Sequence, residues 1–274
     1  MPILLMQAIF VSMNSYAVVP ARFFVSPQEL ANPQTSNLTI ISYNKVINSN
    51  RLSRSDLQAR YIERGLEYGR LFMYQAAIKD FSQAITLLPS SALAYVHRAV
   101  AYARIEKNKQ ALADFEYALK LDAAYLPALK NRAALYFLQA NYLLAAKDFE
   151  QYLRFRPDDI YRILWLYLSE VYANKNTTRI RKYLKDVDLQ QWPGAIAQLY
   201  LGDLQLDPLL ISLKKVLSTW DARHRCEAYY YIGQFYLFHG KKLQAIRYFD
   251  QAVKTKAKNL LEYEFSVVYL KKLQ

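Results

Sequence analysis

Apolar side chains in this chain recur at the i, i+3, i+4 spacing of amphipathic helices, and the helical segments themselves recur on a longer period. Tyr68, Tyr102 and Tyr136 are evenly spaced. Ala77, Ala111 and Ala145 keep the same interval, and so do Phe81, Phe115 and Phe149. Ala84 and Ala118 follow the same grid, which Tyr152 then breaks; Pro89 and Pro157 lie two periods apart. The pattern predicts three helix pairs, at about 58–91, 92–125 and 126–159. Gly65, Ala99 and Ala133 fall on the first helix of each pair, where the second helix must approach closely and only a small side chain fits. Ala77, Ala111 and Ala145 are their counterparts on the second helix. The aromatics fill the remaining volume, and a proline stops the second helix because it has no N–H to continue the hydrogen-bond ladder.

A period of about 34 residues with this arrangement of small and aromatic side chains resembles the tetratricopeptide repeat (TPR). A fourth copy is predicted near the C-terminus, where Tyr229, Gly233, Tyr236, Ala245, Phe249 and Ala252 hold the same relative positions. Phe249 falls two positions short of three full periods after Phe149, so the stretch between is an imperfect continuation. In it, Ile160–Tyr172 predicts a buried helix, 177–186 a short basic helix, and 190–200 and 208–218 two more. Together 160–225 read as eroded repeats, followed by a repeat unit at 226–259. Residues 260–274 hold a last amphipathic helix that would cap the open end. The expected fold is all-α, a TPR helix-hairpin solenoid with a degenerate helical middle and a C-terminal capping helix.

The chain before position 58 differs. Residues 3–13 form an apolar run within a leader-like segment, 1–24, and Ser15 and Ala17 offer small residues for a cleavage site. No Lys or Arg precedes Arg22, so the positive start of a leader is missing. The run is too short to span a bilayer as a helix, which takes about 20 residues. Residues 25–57 read as a linker, with prolines at 27 and 33, followed by a short β-branched helix over 37–47. That helix needs a surface to pack against, in its own chain or a second subunit.

Composition narrows the function classes. Gly and Pro together make up 15 of 274 residues, too few for the turns of a β-sandwich or barrel. No G-x-x-x-x-G-K, G-x-G-x-x-G, H-E-x-x-H, C-x-x-C or G-x-S-x-G occurs, so phosphate-binding, metal and hydrolase chemistry have no motif. No cofactor or metal is expected and the protein reads as a non-enzyme. Cys226 is the one cysteine, so no intrachain disulfide can form. His224 and Cys226, with Arg223 and Arg225, are the only cluster resembling reactive chemistry, and their spacing matches no common motif. Net charge is +13, with +5 in residues 1–170 and +8 in the shorter stretch 171–274. That surplus favours an acidic partner or an anionic membrane surface. A nucleic-acid role would rest on charge alone, and none is expected.

The TPR resemblance implies a partner-binding groove lined by the first helix of each unit. Carried onto this chain, the groove positions include Ile62, Leu66 and Arg70, then Leu93, Val96, Val100 and Arg104, then Lys130 and Phe137. Such a groove is apolar with a few cations. The family's carboxylate-clamp positions hold Ile62, Leu66, His97 and Pro127 here, with only Asn131 polar, so a clamp on a peptide terminus is not expected. An apolar groove needs a cover: a partner segment, the N-terminal helix, or the chain's own C-terminal half.

Further strings narrow the resemblance. YIERG (Tyr61–Gly65), DFSQA (Asp80–Ala84), LWLYLSE (Leu164–Glu170), Gln191-Trp192 and YLGD (Tyr200–Asp203) resemble the NlpI family of bacterial TPR lipoproteins over about 57–272. The resemblance implies a homodimeric periplasmic protein held at the outer membrane by a lipid on an N-terminal cysteine. It further implies an adaptor that presents peptidoglycan endopeptidases to a tail-specific protease, with effects on cell-wall turnover and division. The lipid-bearing cysteine has no counterpart in this sequence. The alternative reading is a general TPR interaction scaffold with unrelated partners.

Overall fold

The computed structural model describes residues 33–49, 51–185, 187–258 and 260–273. The leader-like segment, its cleavage site and the first part of the linker lie outside the described residues. Every regular element among the described residues is a helix. They divide into two compact units, one within Pro20–Leu135 and one containing Tyr136–Gln274.

The N-terminal unit begins with α1 (Pro33–Ile47), followed by α2 (Arg54–Arg70), α3 (Tyr74–Leu87), α4 (Ala92–Arg104) and α5 (Asn108–Leu121). The first part of α6 (Leu126–Leu138) completes it, the division falling inside the third expected repeat. Helix α1 starts earlier than its apolar pattern suggests. Pro33 opens it rather than marking a linker, since the first turn of a helix needs no N–H from that residue. Ser36, Ile40 and Ile47 form the buried side of α1, and α1 packs on α2.

The small-residue rule is visible in distances. A Cβ built on Gly65 would lie 2.6 Å from the ring of Phe81 on α3, so the close approach is to that ring and not to the expected counterpart, Ala77. Ala77, Ala84, Ala94 and Ala101 pack around Phe81 with Ile62 and Ile78. The first helix of each of these two hairpins also carries an arginine that clamps the second. Arg64 gives two hydrogen bonds to Asp80, both 2.7 Å, and a third to Asn44 of α1. Arg98, one period on, does the same to Asp114, both 2.8 Å, and reaches Ser82 of α3. Tyr61 and Tyr68 flank the first guanidinium, Tyr95 and Tyr102 the second. The bidentate pair closes each hairpin, and the third bond ties it to the preceding element.

The C-terminal unit holds the end of α6, then α7 (Tyr142–Leu153), α8 (Ile160–Tyr172), a 3₁₀ helix (Thr178–Leu184), α9 (Gly194–Tyr200) and α10 (Leu206–Val216). It ends with α11 (Ala222–Phe238), α12 (Lys242–Lys254) and α13 (Leu261–Leu273). Its core is aromatic. Trp165, from the LWLYLSE string, meets Phe137 edge-on at 5.1 Å and Phe265 at 4.9 Å, and stacks on Tyr230 at 5.7 Å. The tyrosine hydroxyls are used as well. Tyr167 donates to the carbonyl of Tyr200, Tyr200 to the carbonyl of Tyr231, and Tyr231 to the carboxylate of Glu262. That series links α8, α9, α11 and α13. Gly233 repeats the contact seen at Gly65, with a built Cβ 2.7 Å from Phe249.

The turn between paired helices is closed the same way throughout. Phe72, Glu106, Ala140 and Asn174 are left-handed, with φ of 60°, 62°, 59° and 54°, and each lies one period after the last. After each, a backbone N–H reaches back over the helix end, as in Met73 to Tyr68 and Lys175 to Glu170. Helix α8 therefore still sits on the repeat grid. Erosion begins after it, where the 3₁₀ helix replaces a full second helix. The same closure returns at Gly202 and Gly240.

The last helix reaches beyond the final hairpin. It does not act only as an end cap: α13 packs along α12 and α11, and its Phe265 reaches Phe137 and Trp165. Tyr269 stacks on Phe249 and Tyr172. An amphipathic pattern gives which side of a helix is apolar, and not how far that side reaches.

Candidate protein-interaction face

The nine groove positions separate by burial. Leu93 is exposed at 43%, and Leu66, Arg70, Val100 and Lys130 are half-buried. Ile62, Val96, Arg104 and Phe137 are buried, so they cannot line an open surface. Ile62 is spent on the core beneath α2 and α3. Phe137 is surrounded by the rings of Tyr142, Trp165, Tyr172 and Phe265. At that position the chain's own C-terminal half is the cover.

Apart from Lys130 on α6, the accessible remainder lies on the first helices α2 and α4. Both are positioned by local chemistry. Ser53 caps α2 by accepting from the N–H of Asp56, and Ser91 caps α4 by accepting from that of Ala94. The Arg64 and Arg98 clamps then fix each helix against its partner. Leu66, Leu93 and Val100 present aliphatic surface from this frame. Arg70 stands at the end of α2, ion-paired to Glu67. Part-exposed aliphatic groups with a cation at the end of α2 suit a segment with apolar side chains and an acid.

Among the described residues, the histidines and the cysteine singled out by the sequence are held in structural settings. His97 stacks on Phe81 at 5.6 Å, and burial lowers its pKa to about 4, so it is neutral and structural. His224 belongs to a helix cap: Asp221 receives the N–H of His224 at 2.9 Å and meets its ring at 2.8 Å. Cys226 is fully buried, and burial pushes its thiol up, away from the reactive thiolate. Among the described residues no three His, Cys, Asp or Glu side chains converge to hold a metal. A recess lined by Ile163, Tyr167, Ile180 and Leu184 is apolar and, at about 10 Å³, too small for a ligand. No described helix is long and apolar enough to cross a membrane.

Two features escape the sequence pattern. The Arg64–Asp80 and Arg98–Asp114 pairs recur one period apart, but charged residues within helices read as solvated faces. A buried carboxylate cluster gives no sequence signal at all. Glu227 accepts from Tyr161 at 3.0 Å and from the Trp192 indole at 2.8 Å. Burial raises its pKa, Glu262 adds to the rise, and the two donors oppose it.

A family model for the tetratricopeptide repeat matches residues 227–259, which span α11 and α12. The chain carries a TPR repeat. A TPR protein from Parabacteroides merdae has the same fold over 99% of this chain and 98% of its own, with TM-score 0.56 at 17% identity. The C-terminal part of a TPR repeat-containing protein from Cytophaga hutchinsonii matches 82% of this chain and 92% of its own, with TM-score 0.52 at 17% identity. PilF of Pseudomonas aeruginosa matches 78% and 98%, with TM-score 0.50 at 19% identity. At these identities the likeness is one of fold. The hairpins described above share the fold of those proteins, and the fold class is all-α as the period implied.

Proposed function

We propose that this TPR protein is a non-catalytic adaptor that binds partner proteins through α2 and α4 of its N-terminal unit. The observation that carries the reading is the partial exposure of Leu66, Leu93 and Val100 on the first helices α2 and α4, with Arg70 at the end of α2. A folding core has no use for Leu93 in that position, and a peptide's apolar side chains would complete it. The remaining groove positions are largely filled from within, which confines the binding face to this unit.

The resemblance to NlpI supports a finer reading. The partners are a tail-specific protease and peptidoglycan endopeptidases, and the setting is the periplasm, with the protein as a homodimer. Holding protease and substrate together raises their effective concentration, so the adaptor accelerates degradation without chemistry of its own.

The test is a crosslinked pull-down of the tagged protein from the cell envelope, read by mass spectrometry, beside a Leu93→Asp variant. The proposal expects a protease and a cell-wall hydrolase with the parent protein and their loss with the variant. Recovery of other proteins, lost in the same variant, would leave the interaction face and overturn the finer reading. Equal recovery with both would overturn the face.

A further inference from the structure

The C-terminal unit displays leucines that its fold does not use. Leu143 is exposed at 57%, Leu144 at 45% and Leu243 at 72%. Leu143 and Leu243 are each the second residue of their helix, α7 and α12. Each follows a left-handed turn residue, Ala140 or Gly240, closed by the same bond: Asn141 N–H to Tyr136 and Lys241 N–H to Tyr236, both 2.9 Å. The two leucines therefore hold one register position of two TPR hairpins. Loops at one register of a repeat stack fall on one face.

The charge at these turns is one-sided. Lys147 follows Leu144 by less than a turn of α7 and is exposed; Lys241 and Lys242 precede Leu243 and are exposed. The intervening turn after α8 presents Lys175, also exposed. The turn after α9 carries an acid, Asp203, but Arg181 grips it with two hydrogen bonds of 2.6 and 2.8 Å. Asp207, exposed in the first turn of α10, is outnumbered by the lysines.

We infer that this edge of the C-terminal unit docks onto an anionic lipid bilayer. The pairing of exposed leucine with exposed lysine is the argument. Aliphatic tips enter the headgroup boundary while ammonium groups on long stems stay at the phosphates. An acidic peptide would explain the lysines and leave three leucines in water. No described helix can span a bilayer, so the contact is peripheral and salt-sensitive. It is independent of the α2–α4 face: loss of protein partners in the Leu93→Asp variant would leave it untouched.

The experiment places a polarity-sensitive fluorophore at Leu243→Cys in the full chain, with Ser218→Cys, also exposed, as the control position. Cys226 is fully buried and does not compete for the label. With phosphatidylglycerol-containing vesicles the emission at 243 shifts to the blue and the shift reverses at high salt; the emission at 218 stays unchanged. Pure phosphatidylcholine vesicles give no shift. Lys241→Ala with Lys242→Ala lowers vesicle affinity about 25-fold, roughly fivefold per lysine. No shift at 243 on anionic vesicles overturns the inference. So does an equal shift on neutral vesicles, or a shift with polyglutamate and none with vesicles, which would assign the edge to an acidic protein.

Discussion

The two units solve one packing problem with different materials. In the N-terminal unit the first and second helices of each hairpin meet over alanines and a single phenylalanine, and Arg64–Asp80 and Arg98–Asp114 clamp them. In the C-terminal hairpin of α11 and α12, the positions of that arginine and aspartate hold Ile232 and Tyr248. Its cohesion comes from stacked rings around Trp165 and from hydroxyls bonded to carbonyls and carboxylates. The difference has a functional reading. A thin alanine core held by ion pairs keeps its hairpins in place without filling the face between their first helices. An aromatic core grows until α13 closes over it.

Breaking each core at its centre separates the two solutions. Trp165→Ala removes the ring that Phe137, Tyr230 and Phe265 share, and costs about 4 kcal/mol in chemical denaturation. The loss falls on the C-terminal unit: hydrogen exchange rises in α8, α11 and α13 and stays at the parent level in α2–α4. Arg98→Ala leaves Asp114 buried without its clamp and costs about 3 kcal/mol, with faster exchange in α4 and α5. Replacing both Arg98 and Asp114 by leucine recovers most of that loss if the pair specifies geometry rather than supplying net stability.

Acid–base behaviour sharpens the contrast. Burial raises the carboxyls of Glu227 and Glu262 above their ordinary range. Between the unfolded value near 4.5 and the raised folded value, the native state holds protons that the unfolded chain has released. Stability of the C-terminal unit therefore falls as pH rises through that window, and Glu227→Gln flattens the slope. The N-terminal unit tilts the other way. His97 is held near 4 by burial, below its unfolded value of about 6.5, so stability is lost as pH falls between them. Melting curves across the mildly acidic to neutral range, read separately for each unit, check both slopes.

The smallest effect is at a turn. Phe72 is left-handed and 63% exposed, a conformation that costs a side chain with a Cβ about 1 kcal/mol. Phe72→Gly stabilises the N-terminal unit by about that amount, measured by denaturant midpoint.

These particulars also mark what the sequence could carry. Gly65 and Gly233 are legible as points of close approach, because few side chains fit there; that they meet the rings of Phe81 and Phe249, and not an alanine, is not. The left-handed turns are not, since Phe72, Glu106, Ala140 and Asn174 share a backbone conformation and no chemistry. The groove is half legible. Family geometry locates Leu66, Leu93, Val100 and Arg70 on first helices, yet the burial of Phe137 depends on Phe265, at the far end of the chain. No local pattern announces that α13 reaches so far.

In the proposed mode of binding, partners enter through the N-terminal unit because the C-terminal unit is closed by its own last helix. A photocrosslinking side chain placed at Leu93, and separately at Ser218 in the C-terminal unit, tests it in the cell envelope. The expected result is a discrete protein adduct from position 93, abolished by Arg70→Glu, and none from 218. The same partner captured from 218 and not from 93 would contradict it.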